Sequence, residues 1–387
     1  MRILFMADVP HNPHSGAAGT EVQTLDALRA LGHEVDAIWS DNLGRRIRHG
    51  NLHLLLELPH TYELAAVRAL QRTRYDVVHV NQPHGFRAAR AVHRFSPQTV
   101  FIHRSHGFEL NVEETLKPWR AMYGGDERSA VRRISSRAIA ALLARHGRAI
   151  AAEADGHIVS SSLDAAFLRE RLVVAADRIA VIAQAAPESY TRDAAPPMDT
   201  KRLRRVLHVA QFAFFKAPMI TAAAMNRLAE ADGELRFSWV CDPKSEPAIR
   251  ALLTPGANER LDVLPWTTQD ALRDIYDAHG IFLFPSFFEG FGKAFLEAMS
   301  RGLCVIASDA GGMHDVIENG RNGILVPPGD ATALADAALA VMRNPDRAGE
   351  MSAAAAVTAR QYSWDRVARE TADFYWSRLS ARGAMRR

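Results

Sequence analysis

The chain has 387 residues, 48% hydrophobic and 24% charged, with a formal net charge of +3. This describes an ordinary folded protein long enough for two or three domains, and the balance is too close to neutral to drive nucleic-acid binding. Cys241 and Cys304 are the only cysteines, no apolar stretch approaches a membrane span, and the opening residues read as a strand, so we expect a cytoplasmic chain without disulfide, zinc site or signal peptide.

Residues 3–6 read as a first strand. The segment 11–19 is turn-rich, and 20–31 carries helical spacing through Val22, Leu25, Leu28 and Leu31. Gly32 and His33 stop that helix, and 35–39 is the next strand. Residues 41–60 are weakly patterned, 64–70 look helical, and 76–80 form a short buried strand. The loop 81–87 follows its carboxyl end, where open α/β sheets place ligand contacts. A strand over 99–106 runs into His106. Between 128 and 148 there are six arginines and no acid. On a helical wheel Val131, Ile139, Leu142 and Leu143 gather opposite Arg133, Arg137, Arg145 and Arg148. Such a face suits an anionic membrane surface, another anionic partner or plain solvent. Strands at 157–160 and 179–182 close the first half, and 186–200, with three prolines, reads as a linker.

In the second half, strands are expected at 205–210, 235–241 and 261–266, with a helix starting at Thr268. The run Ile281 to Phe284 reads as a buried parallel strand ended by Pro285. A glycine turn, 289–292, leads into a helix whose apolar face holds Ala294, Phe295, Ala298 and Met299. Another strand, 303–307, runs into Gly311 and Gly312. Helices follow at 331–342 and at the end, the last carrying Phe374, Tyr375 and Trp376. A strand, glycine turn and helix in this order can seat phosphate at the helix start. Glu289 and Glu297, eight residues apart, would be separated by about 12 Å along a helix. That is too far for a glycosidase pair, which needs roughly 5 to 9.5 Å. They are spaced to hold two ends of one long ligand, with phosphates over the turn.

The run Glu289-Gly-Phe-Gly-Lys-Ala-Phe-Leu-Glu297 resembles the E-x7-E motif of retaining glycosyltransferases of family 4, which have the GT-B fold. The likeness continues through 311–317 and 322–329 in the family's order and spacing. It implies that Glu289 contacts the donor sugar and Glu297 the nucleotide ribose, while amides of Gly290, Phe291 and Gly292 approach the sugar or phosphate. Gln211-Phe-Ala-Phe-Phe-Lys216 stands where the family has Arg-x4-Lys-Gly, so Lys216 would neutralise the diphosphate, with Gln211 in place of the arginine and Ala217 in place of the glycine. His106 resembles the family's active-site histidine. Residues 18–21 resemble a Gly-Gly-x-Glu loop, in which Gly19 would approach a donor phosphate. Residues 183–185 depart from the family's Pro-Asn-Gly.

The alternating strands and helices argue for an α/β chain, and the resemblance implies GT-B: two doubly wound Rossmann-like domains facing a central cleft. Expected boundaries are 1–190 for acceptor binding, 201–362 for nucleotide-sugar binding, and 363–387 for a terminal helix that the resemblance implies packs back on the first domain, with Phe374, Tyr375 and Trp376 packing between domains. The implied function is retaining transfer from a UDP- or GDP-sugar to a hydroxyl of a glycan, a lipid-linked saccharide or a small molecule, as in polysaccharide biosynthesis. The expected catalytic residues are Glu289, Lys216 and His106, with no metal and no cofactor beyond the donor. Nucleic acid is not an expected partner. The protein would be cytoplasmic, with Arg128–Arg148 as the candidate for peripheral contact with the inner membrane face. The alternative is a non-catalytic GT-B subunit that binds sugar or assembles a complex, which would account for Gln211 and 183–185.

Overall fold

The computed structural model describes residues 1–12, 16–124 and 130–384. The centre of the loop expected at 11–19, Arg128, and the side chains of Val131, Arg132, Arg133 and Arg137 lie outside the described residues. The chain divides into two compact units, Met1–Ala183 with Trp364–Arg387, and Gln184–Ser363.

The first unit is built on six parallel strands: β1 (Arg2–Met6), β2 (Glu34–Ile38), β3 (Val77–Asn81), β4 (Val100–Arg104), β5 (Gly156–Val159) and β6 (Ile179–Val181). Their order is β2-β1-β3-β4-β5-β6, so the chain reverses its direction of growth between β1 and β3. Strands β3 and β4 are buried throughout, as apolar runs covered on both faces must be. Leu4, Met6, Val78, Val80 and Phe101 from the sheet pack against Leu58, Tyr62 and Ile150 from flanking helices.

Three expectations need correction here. The first helix starts at Gly16, so Gly19 lies buried in its first turn and not in the preceding loop. The helix read at 64–70 spans Leu58–Arg72 and continues back through a π-helical turn at His53–Glu57. That turn breaks the 3.6-residue period and hides the helix from pattern reading. Glu57 holds the turn to the preceding loop by accepting from the backbone N–H groups of Arg46 and Ile47 at 2.8 and 2.9 Å. Third, the terminal helix Trp364–Ala384 belongs to the first unit, as expected, but its aromatics do not divide as an interdomain cluster: Tyr375 is buried within that unit and hydrogen-bonds His79, whereas Trp376 is 52% exposed. The basic segment is a helix, Ala130–Glu153, with Arg145 and Arg148 exposed. No helix among the described residues is long and apolar enough to cross a membrane.

The second unit has β7 (Arg205–Val209), β8 (Arg236–Cys241), β9 (Leu261–Pro265), β10 (Ile281–Phe284), β11 (Cys304–Ser308) and β12 (Ile324–Val326). They are parallel, in the order β12-β11-β10-β7-β8-β9, with the reversal between β7 and β10. The residues read as a linker are part of this unit. Tyr190 is buried and its hydroxyl donates to the Gln269 carbonyl at 2.8 Å. Arg301 donates to the carbonyls of Tyr190, Asp193 and Ala194. These contacts, and not the local prolines, decide where 186–200 belongs.

Candidate functional site

The carboxyl ends of β7 and β10 lie side by side at the reversal point of the second sheet, where flanking loops part and leave room for a ligand. After β7 a single 3-10 turn, Phe214–Lys216, ends at Ala217, which is buried in the left-handed conformation (φ 52°). A side chain there is strained, and the turn delivers Lys216 towards the loop that follows β10. The Lys216 ammonium donates to Glu289 Oε1 at 2.5 Å, and the Ser286 hydroxyl donates to the same oxygen at 2.7 Å. Ser308, at the end of β11, donates to the Ser286 carbonyl at 2.5 Å and ties the loop to the sheet. Glu289 is 7% exposed, and the ammonium lies 5.2 and 5.1 Å from the ring centres of Phe215 and Phe284. The ion pair is therefore largely desolvated and flanked by aromatic faces.

Gly292 (φ 90°) caps the helix Lys293–Ser300, a conformation that glycine adopts without strain. Gly290 and Phe291 are buried before it, and Glu297 lies on it at 5% exposure. The Tyr276 hydroxyl donates to Glu297 Oε2 at 3.1 Å, and the Lys293 ammonium is 3.9 Å from Oε1. Burial pushes the Glu297 carboxyl up, and Lys293 and Tyr276 oppose that shift. Gly311 (φ 52°) closes over the turn so tightly that a Cβ there would sit 2.2 Å from the Glu289 carbonyl oxygen. Gly311→Ala is accordingly expected to cost about 1–3 kcal/mol in urea unfolding and to displace the Glu289 backbone. A wild-type midpoint would contradict that packing.

In the first unit His106 follows β4 and its Nε2 pairs with Glu21 Oε1 on the helix Gly16–Ala30. Glu21 is buried, which by itself would raise its pKa, but His106, Arg104 and His79 together draw it down to about 2. His79 and His103 are core residues, with burial driving their pKa values down. The structure thus brings Lys216 to Glu289 and sets Gly290, Phe291, Gly292 and Glu297 along the same turn and helix. Gln211 is exposed just past β7, outside the Lys216–Glu289 pair, and Gly19 and His106 belong to the first unit. Glu21, Tyr276, Ser286 and Ser308 escaped the sequence reading. For Glu21 a signal existed, since it is the acidic member of the quoted loop 18–21; for the other three there was none.

Two family models cover most of the chain, "Glycosyltransferase Family 4" over residues 15–186 and "Glycosyl transferases group 1" over 204–344. The chain is 31% identical over 170 residues to the D-inositol 3-phosphate glycosyltransferase of Streptomyces bingchenggensis, a match covering 41% of this chain and 37% of that protein. The matched stretch is thus well under half of that relative's own length. Among solved structures, sucrose-phosphate synthase from Thermosynechococcus elongatus superposes with a TM-score of 0.74 at 20% identity, over 98% of this chain and 100% of that one. The Anabaena protein HepE, solved with UDP-glucose, gives 0.69 at 17% identity, over 96% and 98% of the two chains. At such identities the structural likeness is one of fold. With both halves matched in order and the two parallel sheets in place, the chain belongs to the family 4 (group 1) glycosyltransferases and has their GT-B fold.

Proposed function

We propose that this protein is a retaining glycosyltransferase that moves a sugar from a nucleotide donor to an acceptor hydroxyl. The observation that carries the reading is the buried Lys216–Glu289 pair at the reversal point of the second sheet, one glycine-capped turn ahead of the buried Glu297. A nucleotide sugar fits such a row of groups. Glu289 orients the sugar ring, amides of Gly290, Phe291 and Gly292 face the sugar or phosphate, and Glu297 accepts from the ribose hydroxyls. When the donor arrives, its diphosphate competes with Glu289 for the Lys216 ammonium. As the bond from the anomeric carbon to the diphosphate oxygen breaks, Lys216 stabilises the charge growing on that oxygen. The acceptor oxygen bonds to the anomeric carbon on the same face, and its proton passes to the departing phosphate oxygen. His106, held by Glu21, positions the reacting sugar or the acceptor. The relatives named as glycosyltransferases and the HepE complex with UDP-glucose support this reading and make UDP-sugars the first donors to test.

The test is nucleotide release and binding across UDP- and GDP-sugars, wild type beside Glu289→Ala. One donor should be hydrolysed slowly by the wild type, and Glu289→Ala should release nucleotide at least about 10²-fold more slowly. Equal rates in the two proteins would overturn the assignment of Glu289. Donor binding with no release, even with a panel of glycan and small-molecule acceptors, would favour a non-catalytic subunit, the reading that the uncharged Gln211 leaves room for.

A further inference from the structure

Arg104 is the last residue of β4, and its side chain is wholly buried. None of Nε, Nη1 and Nη2 has a hydrogen-bond partner among the described residues. Burying an ionised group without hydrogen bonds is among the costliest things a fold can do, and buried polar groups are otherwise met by protein, water or ligand. The orphan is not isolated. Asn81 sits opposite Arg104 in the β3–β4 register, and its side chain pairs with that of His79. Glu21, on the helix Gly16–Ala30, leaves its Oε2 unpartnered. Glu21 gives its other oxygen to His106 and answers the Arg104 charge from nearby, without a hydrogen bond to the guanidinium. Two elements, β4 and the helix Gly16–Ala30, thus bring unsatisfied groups to the carboxyl edge of the first sheet, beside its reversal point, where this architecture binds ligands.

The chemistry of the orphans specifies an occupant. A guanidinium offers a planar fork that matches a carboxylate or phosphate with two parallel bonds. Glu21 Oε2 is an acceptor, and it suits a hydroxyl next to that anionic group. We propose that Arg104 anchors the anionic group of a hydroxylated acceptor, a sugar phosphate or sugar acid, in the first unit. The word acceptor rests on the transferase reading, whereas the anion site does not. Because Arg104 is enclosed, the ligand reaches it through local opening.

The experiment uses the full chain and follows Tm against glucose 6-phosphate, glucuronate, inorganic phosphate and neutral glucose, with Arg104→Lys and Arg104→Met beside the wild type. At least one sugar anion should raise the wild-type Tm saturably, while glucose does not, and whichever anion acts separates a phosphate from a carboxylate acceptor. Arg104→Lys keeps the charge but not the fork and should bind that anion about tenfold more weakly or worse. Arg104→Met should lose the response, and because it also removes a cation beside the buried Glu21 it should melt somewhat below the wild type. The proposal falls if no sugar anion shifts the wild type, if Arg104→Lys responds as the wild type does, or if inorganic phosphate alone acts. An Arg104→Met protein that melts far below the wild type, with no anion response in either, would mark a structural guanidinium met by internal water. UDP provides the separate arm: its shift should survive in Arg104→Met and be lost in Glu297→Ala. A sugar-anion shift without any UDP shift would keep this site and remove the transferase reading.

Discussion

Lys216→Met is expected to lower the rate of donor turnover about 10²–10³-fold and to weaken the second unit by about 3 kcal/mol. The two effects have different origins. The kinetic loss follows from removing the cation that answers charge on the departing diphosphate, an interaction that strengthens only as the bond breaks. The stability loss follows from leaving Glu289 buried with Ser286 as its remaining partner, since an unpaired carboxylate costs more than the pair contributed. A double-mutant cycle separates them. In Lys216→Met with Glu289→Gln, the urea midpoint should return most of the way to the wild type, because the orphaned charge is gone. Turnover should stay lost, and the two single losses should not add. If the single Lys216→Met variant kept its wild-type rate, the lysine would serve only to neutralise Glu289 and the leaving-group role would be removed.

The parts of this site that could be read from sequence were those carried by short local runs. Ile281 to Phe284 is an unbroken apolar strand, Gly292 follows at a turn, and Glu289 and Glu297 stand eight positions apart, so strand, turn, helix and two acids all announce themselves within one window. What could not be read is which side chains meet from far along the chain. Lys216 and Glu289 are 73 positions apart, and Glu21 and His106 are 85 apart. Only the register of β7 beside β10, and of β1 beside β3 with β3 beside β4, brings them together. Ser286 and Tyr276 look like any hydroxyl until Glu289 and Glu297 are seen to need a donor. Local composition also misled. The glycines at 16 and 19 suggest a loop but begin a helix, because its buried face at Ala18 and Val22 outweighs their weak preference. Prolines at 187, 196 and 197 suggest a linker, but the backbone between them is gripped by the second unit.

That grip leads to the other large expected effect, Arg301→Ala. Arg301 is 3% exposed, and its guanidinium donates to both carboxylate oxygens of Asp277 at 2.6 and 2.9 Å. It also donates to the carbonyls of Tyr190, Asp193 and Ala194 at 2.9, 3.1 and 3.3 Å. Truncation would leave one carboxylate and three carbonyls without their partner, and the cost is expected to be about 3–5 kcal/mol, or roughly ten degrees in Tm for a unit of this size. Arg301→Lys should recover only part, since an ammonium cannot span Asp277 and three carbonyls at once. Arg321→Ala is the matched control. It removes an exposed pair with Glu318 and should change stability by less than about 1 kcal/mol. Arg301 follows directly on the helix that carries Glu297, and its backbone N–H bonds the Glu297 carbonyl at 3.3 Å. Loosening that end should therefore weaken nucleotide binding as well as folding, with UDP affinity falling in Arg301→Ala even at temperatures where the protein is folded. An Arg301→Ala protein that melts within a degree of the wild type would show that 186–200 is held by its other contacts. One that melts low but binds UDP normally would confine Arg301 to the fold and free Glu297 from it.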